Sequence, residues 1–220
     1  MLRVEAHSRL HLGQLDLNGS LGRMYGGIGV ALESPKIVIL AEEHDELNVF
    51  GYDSRRVRAI AGDFLAKAGI KGGAKLQVKE TIPVHVGLGS SVQLRLAVGT
   101  ILASLHNVDC EIEDIARIIL RGFRTDACLG LFEYGGFVVA SGIPKEFDRP
   151  GADFVAPPVI FQHSFPSNWY FIVVTPETAT EFRAKRDHIS LEVLPPIPPE
   201  DVGLICRLLT MQLLPALLEE

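Results

Sequence analysis

Pro83-Val84-His85-Val86-Gly87-Leu88-Gly89-Ser90-Ser91 joins a strand-like stretch to a helix-like one, and its reading decides the fold. Upstream, residues 75–81 alternate Leu76 and Val78 with polar neighbours, the period of a strand with one buried face. Downstream, residues 90–106 carry Val92, Leu94, Leu96, Ala97, Val98, Ile101, Leu102 and Leu105, so the helix predicted there is apolar nearly all round and buried on most sides. The glycines stand where backbone must approach a ligand, and the hydroxyls stand at the helix start. Such a helix end offers unpaired N–H groups and a partial positive charge, both suited to phosphate oxygens. His85, Gly87, Leu88, Gly89, Ser90 and Ser91 are therefore phosphate-site candidates, and Ser90 is also a candidate metal ligand. The alternative is an N-cap with a tight entry turn and no ligand. The spacing matches neither GxxxxGK(S/T) nor GxGxxG, so the general nucleotide-binding patterns do not explain it.

Working outward, Leu2, Val4, Ala6, Leu10, Leu12, Leu15 and Leu17 mark strands, and Asn18-Gly19 is a strong turn signal. Gly22, Gly26, Gly27 and Gly29 follow, where backbone comes close to another strand or a ligand. A strand is predicted at 37–40 after Pro35. From Ser54 the period becomes helical, with Val57, Ile60, Ala61, Phe64, Leu65 and Ala68 on one face and Gly69 as C-cap. A third helix is predicted over 111–120, with Gly122 as its stop, and strands return at 136–140, 158–165 and 169–175. A Pro/Gly-rich link occupies 144–158, and 195–199 reads as a hinge. Beyond it, Val202, Ile205, Leu208, Leu209, Leu213 and Leu214 begin a helix with no later segment to cover its apolar face. A truncated second domain, or one completed by another subunit, follows from that reading.

The chain has 220 residues, 47% apolar and 22% charged, which suits a packed core and excludes a disordered chain. A net charge of -6 argues against broad nucleic-acid binding, so any phosphate is expected to be gripped locally. Arg55-Arg56 with Arg58, Arg121 with Arg124, and Arg183 with Lys185-Arg186 read first as solvated faces. Cys110, Cys128 and Cys206 are far apart without CxxC spacing, which indicates neither a disulfide framework nor structural zinc. Without a signal-peptide h-region or an uninterrupted apolar stretch of membrane length, a cytoplasmic protein with no membrane partner is expected.

Pro-x-x-x-Gly-Leu-Gly-Ser-Ser resembles the phosphate-binding signature of the GHMP kinase superfamily, the small-molecule kinases of galactose, homoserine, mevalonate and phosphomevalonate. Three further segments resemble one branch of it: Ser8-Arg9-Leu10-His11-Leu12-Gly13, Leu15-Asp16-Leu17-Asn18-Gly19 and Tyr25-Gly26-Gly27-Ile28-Gly29. Gln93-Leu94, Leu96-Ala97-Val98-Gly99 and Phe132-Glu133-x-Gly135-Gly136-Phe137 add to the likeness, which runs through essentially the whole chain. That branch is the β-ribofuranosylaminobenzene 5'-phosphate synthase family, archaeal-type enzymes of methanopterin biosynthesis. The resemblance implies an α+β fold: a GHMP-type domain over 1–155, a mixed sheet with helices on one side, then a partial ferredoxin-like domain over 156–220. It implies condensation of 5-phosphoribosyl 1-diphosphate with 4-aminobenzoate or 4-hydroxybenzoate, releasing carbon dioxide and diphosphate with Mg²⁺ present.

Under that resemblance Arg9, His11, Asp16 and Arg124 are the catalytic candidates, and Gly26, Gly27 and Gln93 join the substrate-binding set. Arg9 suits a carboxylate or a phosphate; His11 and Asp16 suit ribose hydroxyls or the benzoate. Glu5 reads as a metal carboxylate or a surface residue. The family resembles Arg-Gly-x-Arg followed by a glycine-rich turn; here that turn is Thr125-Asp126-Ala127-Cys128. Arg95 is a second departure, because a small residue is expected on that helix. Two other readings stay open: an ATP-dependent small-molecule kinase, and a non-catalytic phosphosugar-binding paralogue. The uncovered terminal helix leaves room for a homodimer.

Overall fold

Leu2–Asp16 (β1) and Arg23–His44 (β2) form a long antiparallel ribbon in the computed structural model, which describes residues 1–121, 127–149, 151–175 and 197–219. The Asn18-Gly19 signal sits at the turn of this ribbon, where Asp16 Oδ1 accepts the backbone N–H groups of Asn18 at 2.7 Å and Gly19 at 2.8 Å. The sequence reads as separate strands around Pro35, whereas the structure holds one 22-residue strand with a bulge there. Leu32 pairs with Ser8 and Lys36 with His7, so Glu33, Ser34 and Pro35 leave the ladder. That bulge is what lets an interior strand carry a proline.

The other edge of β2 serves two strands in succession. Phe137–Ala140 (β5) pairs with its residues 27–30, and Gly73–Glu80 (β4) pairs with 38–44. Leu47–Gly51 (β3) lies parallel to β4, and the helix Ser54–Lys67 (α1) is the crossover between them. Ile143–Pro144 (β6) adds to the start of β2, and Val159–His163 (β7) pairs with β5. The mixed sheet thus runs β3-β4-β2-β5-β7, with β1 and β6 also on β2.

Ser90–Leu105 (α2), Ile112–Ile119 (α3) and Cys128–Tyr134 (α4) join α1 over this sheet. Phe64, Ile37, Ile39, Leu76, Leu94, Leu96 and Leu102 are fully buried between the layers. Glu111 and Asp114 form a capping box that fixes the start of α3. Gly99 lets α3 close on α2, since a Cβ there would stand 2.4 Å from Ile115 Cγ2.

The expectation of helices on one side holds for α1 to α4 and needs an addition. Gly29 faces α4, where a Cβ would meet Leu131 Cδ1 at 2.7 Å, so Ile28 and Val30 face the other way. With Leu15, Phe137 and Val139 they pack against Leu209 and Leu217 of the C-terminal helical run. That run is Pro199–Leu208 (α5), a π-helical segment Leu209–Leu213, and Leu214–Leu218 (α6). The widened segment comes just before Pro215, which has no N–H for the carbonyl four residues earlier and crowds it.

Two expectations change here. The terminal helix is partly covered, by the sheet itself. Pro199–Leu218 is long and apolar enough by length and composition to cross a membrane, but Glu200, Asp201 and Arg207 interrupt it and it lays Leu209 and Leu217 on the sheet. Residues 169–175 are not a strand: Tyr170, Ile172 and Val174 are strongly exposed, and an apolar alternation without a neighbouring strand has no ladder to join. The described residues beyond 155 contribute β7 to the same sheet and the helical run that lies on it.

Candidate functional site

The loop between β4 and α2 turns through three positive φ angles at alternate positions: His85 at 58°, Gly87 at 79° and Gly89 at 75°. Only glycine takes the left-handed region without steric cost, which explains two of the three residues. Gly89 is the N-cap of α2 and no side chain caps the helix, so the tight entry turn is made by glycine backbone rather than by a capping hydroxyl. The helix start presents backbone dipole and N–H groups beside a surface loop whose tip, Val84 and His85, is exposed.

Arg9 is docked on this loop. Its backbone N–H donates to the Leu88 carbonyl at 3.0 Å, using the edge of β1 that β2 leaves open. Its side chain runs over Gly89, where a Cβ would stand 3.2 Å from Arg9 Nε and 3.3 Å from Arg9 Cβ. Nε is buried and has no hydrogen-bond partner. Glycine at position 89 therefore serves two purposes, the backbone turn and the close passage of a guanidinium. His11 lies two residues further along β1, half-buried and opposite Gly29.

Ser90 is buried in the first turn of α2, and Ser91 Oγ accepts a hydrogen bond from Arg56 at 2.9 Å. Arg56 also pairs with Asp53 at 3.2 Å, so it bridges the start of α1 to the start of α2. Sequence reasoning placed Arg56 in a solvated basic run; only the tertiary approach of two helix starts distinguishes it from Arg55 and Arg58. Arg95 follows Ser91 by four residues on the same helical face. Burial, and then the nearby charge of Arg56, lower its pKa, while Asp63 opposes the shift.

Several sequence candidates stand elsewhere. Gln93 is 0% exposed, and its Nε2 donates to the Cys128 carbonyl at 3.1 Å. From that fully buried position it braces α4 against α2. Gly26 and Gly27 are buried strand residues between β1 and β5, and a Cβ on Gly26 would lie 2.9 Å from the Ala140 carbonyl oxygen. Close strand packing accounts for Gly26, and neither glycine belongs to the loop site. Asp16 sits at the far end of β1, about 20 Å from Arg9 at the usual strand rise, and its Oδ1 holds the 18–19 turn. Arg124 lies outside the described residues, as do Thr125 and Asp126 of the altered turn. Ala127 is fully buried, and the Cys128 thiol is buried behind it.

Glu5 is a surface ion-pair residue, 2.6 Å from Lys36 Nζ and also paired with Arg3. The Lys36 hydrogen bond is the largest cause that lowers its pKa. Among the described residues no group of three or more His, Cys, Asp or Glu side chains is placed to hold a metal ion.

Residues 55–132 match the family model described as GHMP kinases N terminal domain. The chain is similar to the β-ribofuranosylphenol 5'-phosphate synthase of Methanocaldococcus jannaschii, 34% identical over 99% of this chain and 72% of that protein. It is likewise similar to the synthase of the same name from Archaeoglobus fulgidus, 36% identical over 100% of this chain and 71% of that protein. Among solved structures, the phosphomevalonate kinase of Streptococcus pneumoniae superposes with a TM-score of 0.51 at 17% identity, covering 66% of this chain and 49% of the kinase. That likeness concerns the fold. The chain spans about half the length of such kinases and about seven-tenths of the synthases.

Proposed function

Because the chain belongs to the β-ribofuranosylphenol 5'-phosphate synthase family, we propose that it transfers a phosphoribosyl group from 5-phosphoribosyl 1-diphosphate to a 4-substituted benzoate. The observation that carries the reading is Arg9 laid over Gly89 at the uncapped start of α2. The Arg9 side chain lies at the positive end of the α2 dipole, a pairing that suits a leaving diphosphate better than a neutral group.

In the transfer, the bond between the ribose anomeric carbon and the diphosphate oxygen breaks, and its electron pair leaves with the diphosphate. The ring carbon bearing the carboxylate forms the new bond to the anomeric carbon. The bond to the carboxyl carbon then breaks, its electrons restore the aromatic ring, and carbon dioxide leaves. Charge grows on the diphosphate as the first bond stretches, and fixed donors stabilise that change most. Arg9 and the loop N–H groups are the fixed donors in this chain. Mg²⁺ bound with the diphosphate would neutralise part of the same charge, with a Ser90 or Ser91 hydroxyl nearby. His11, on the same strand as Arg9, is the candidate to orient the acceptor.

The relatives' name specifies a phenol product, which favours 4-hydroxybenzoate over 4-aminobenzoate as acceptor. A small-molecule reaction of this kind fits the expected cytoplasmic location and the methanopterin pathway that the family resemblance implies. The test is release of labelled carbon dioxide from carboxyl-labelled 4-hydroxybenzoate, dependent on 5-phosphoribosyl 1-diphosphate and Mg²⁺. Release that disappears in Arg9→Met supports the proposal. Tight donor binding without any release from either benzoate identifies a phosphosugar-binding paralogue instead.

A further inference from the structure

Arg56 is the member of a basic run that the fold turns inward. Its side chain is 28% exposed, whereas Arg55 and Arg58 in the same run are exposed. One arm of its guanidinium, Nη2, donates to Ser91 Oγ at 2.9 Å, and the other, Nη1, pairs with Asp53 at 3.2 Å. Asp53 is the N-cap of α1 and stands at a φ of 52°, yet its side chain caps no backbone N–H of that helix. An aspartate in that position ordinarily accepts from the second or third N–H of the helix. Here the carboxylate instead holds a guanidinium whose other arm meets the first turn of α2. Phe64 of α1 already packs beside Gly99 of α2, its Cε2 3.5 Å from where a Gly99 Cβ would stand, so the two helices also meet in the core, away from this polar chain.

A serine hydroxyl has one hydrogen to donate and two lone pairs that accept. With a cation donating to one lone pair, Ser91 Oγ keeps its own hydrogen to give, and the charge behind it makes that hydrogen a stronger donor. Ser91 is the second residue of α2 after the N-cap Gly89, so its backbone N–H is among those with no partner inside the helix. We infer that Arg56 is a positioning residue for the diphosphate: held by Asp53, it fixes Ser91 so that hydroxyl and backbone N–H both donate to an anion resting on the loop. This rests on the phosphoribosyl reading above. Arg56 acts through Ser91 and does not touch the anion, whereas Arg9 lies over Gly89 itself.

The test is calorimetric titration of inorganic diphosphate against the wild-type chain, Arg56→Met, Ser91→Ala, the double variant and Arg56→Lys, with folding of each checked by circular dichroism. Arg55→Met is the control for loss of a positive charge from the same run. Arg56→Met and Ser91→Ala are each expected to lose at least fivefold in affinity, and the double variant to stay within twofold of the weaker single one. Arg56→Lys should recover to within threefold of wild type, and Arg55→Met should bind within twofold of wild type. A merely structural tie would lower the Tm of Arg56→Met and leave the affinity of the folded variant unchanged, a result that overturns the inference. Losses that multiply in the double variant also overturn it, because Arg56 then acts by a route other than Ser91, as does an Arg55→Met loss equal to that of Arg56→Met. Ser91→Ala keeps the test decisive if Arg56→Met does not fold, since wild-type affinity there overturns the inference whatever the arginine variants do. A wild-type chain that binds no inorganic diphosphate overturns the loop reading itself, a result distinct from binding that ignores these substitutions.

Discussion

Replacing Gly89 with alanine isolates what the loop does. The residue holds a φ of 75°, where an L-residue costs about 1–2 kcal/mol relative to glycine. The added Cβ also meets Arg9 Nε at 3.2 Å and Arg9 Cβ at 3.3 Å, so the arginine must move by a few tenths of an ångström. Gly87 is the internal control, because its φ of 79° carries the same backbone cost while a Cβ there meets nothing within 4 Å. Gly87→Ala is expected to lose about 1–2 kcal/mol, or roughly 2–8 °C in Tm for a chain of this size, and Gly89→Ala more. If Arg9 holds the diphosphate by a charge-assisted bond worth about 1.5–3 kcal/mol, its displacement weakens inorganic diphosphate binding by roughly 10–100-fold. Thermal unfolding and calorimetric titration of both variants give the two readouts. Diphosphate binding within twofold of wild type in Gly89→Ala, with stability no lower than in Gly87→Ala, refutes the reasoning.

Two further substitutions test the supports behind the site. Gln93→Glu places a carboxylate in a fully buried position against the Cys128 carbonyl oxygen, which should cost about 3–5 kcal/mol at pH 7. Burial raises the folded-state pKa of that carboxyl above its unfolded value near 4.3, so the deficit grows above that value and disappears below it. Urea unfolding at pH 7 and pH 4 reads the difference, and a small, pH-independent deficit would show that the side chain reaches water. Gly99→Ala should destabilise by about 1–3 kcal/mol through overpacking, despite alanine's better helix propensity, because its Cβ stands 2.4 Å from Ile115 Cγ2. Ile115→Ala should recover part of that loss in the double variant, and strict additivity of the two would contradict the packing described.

The loop and α2 were legible in the sequence because each local signal agreed: a strand-period approach, glycines where φ is positive, and a helix apolar all round. α1 was legible for the same reason, with Gly69 at a φ of 67° just past its end. β3 was missed because Leu47 to Gly51 offers only two apolar side chains, Val49 and Phe50, beyond its first residue, and its identity as a strand comes from parallel pairing with β4 across α1. α4 was missed because it has seven residues and a glycine within it, too short for a helical period to show. Arg9 is named as a candidate by resemblance alone, and its passage over Gly89 emerges only from the fold. The packing of Gln93 and Gly26 was not legible, since the Cys128 carbonyl and the Ala140 carbonyl that they meet lie far away in sequence. Arg56 carried no distinguishing signal, because its partner Ser91 lies 35 residues away.

The most direct test of the central claim is a parallel calorimetric titration, with Mg²⁺, of 5-phosphoribosyl 1-diphosphate and of ATP against the same protein sample. The account predicts clear preference for the phosphoribosyl donor, lost in Arg9→Met. Preference for ATP, or donor binding indifferent to Arg9, would contradict it.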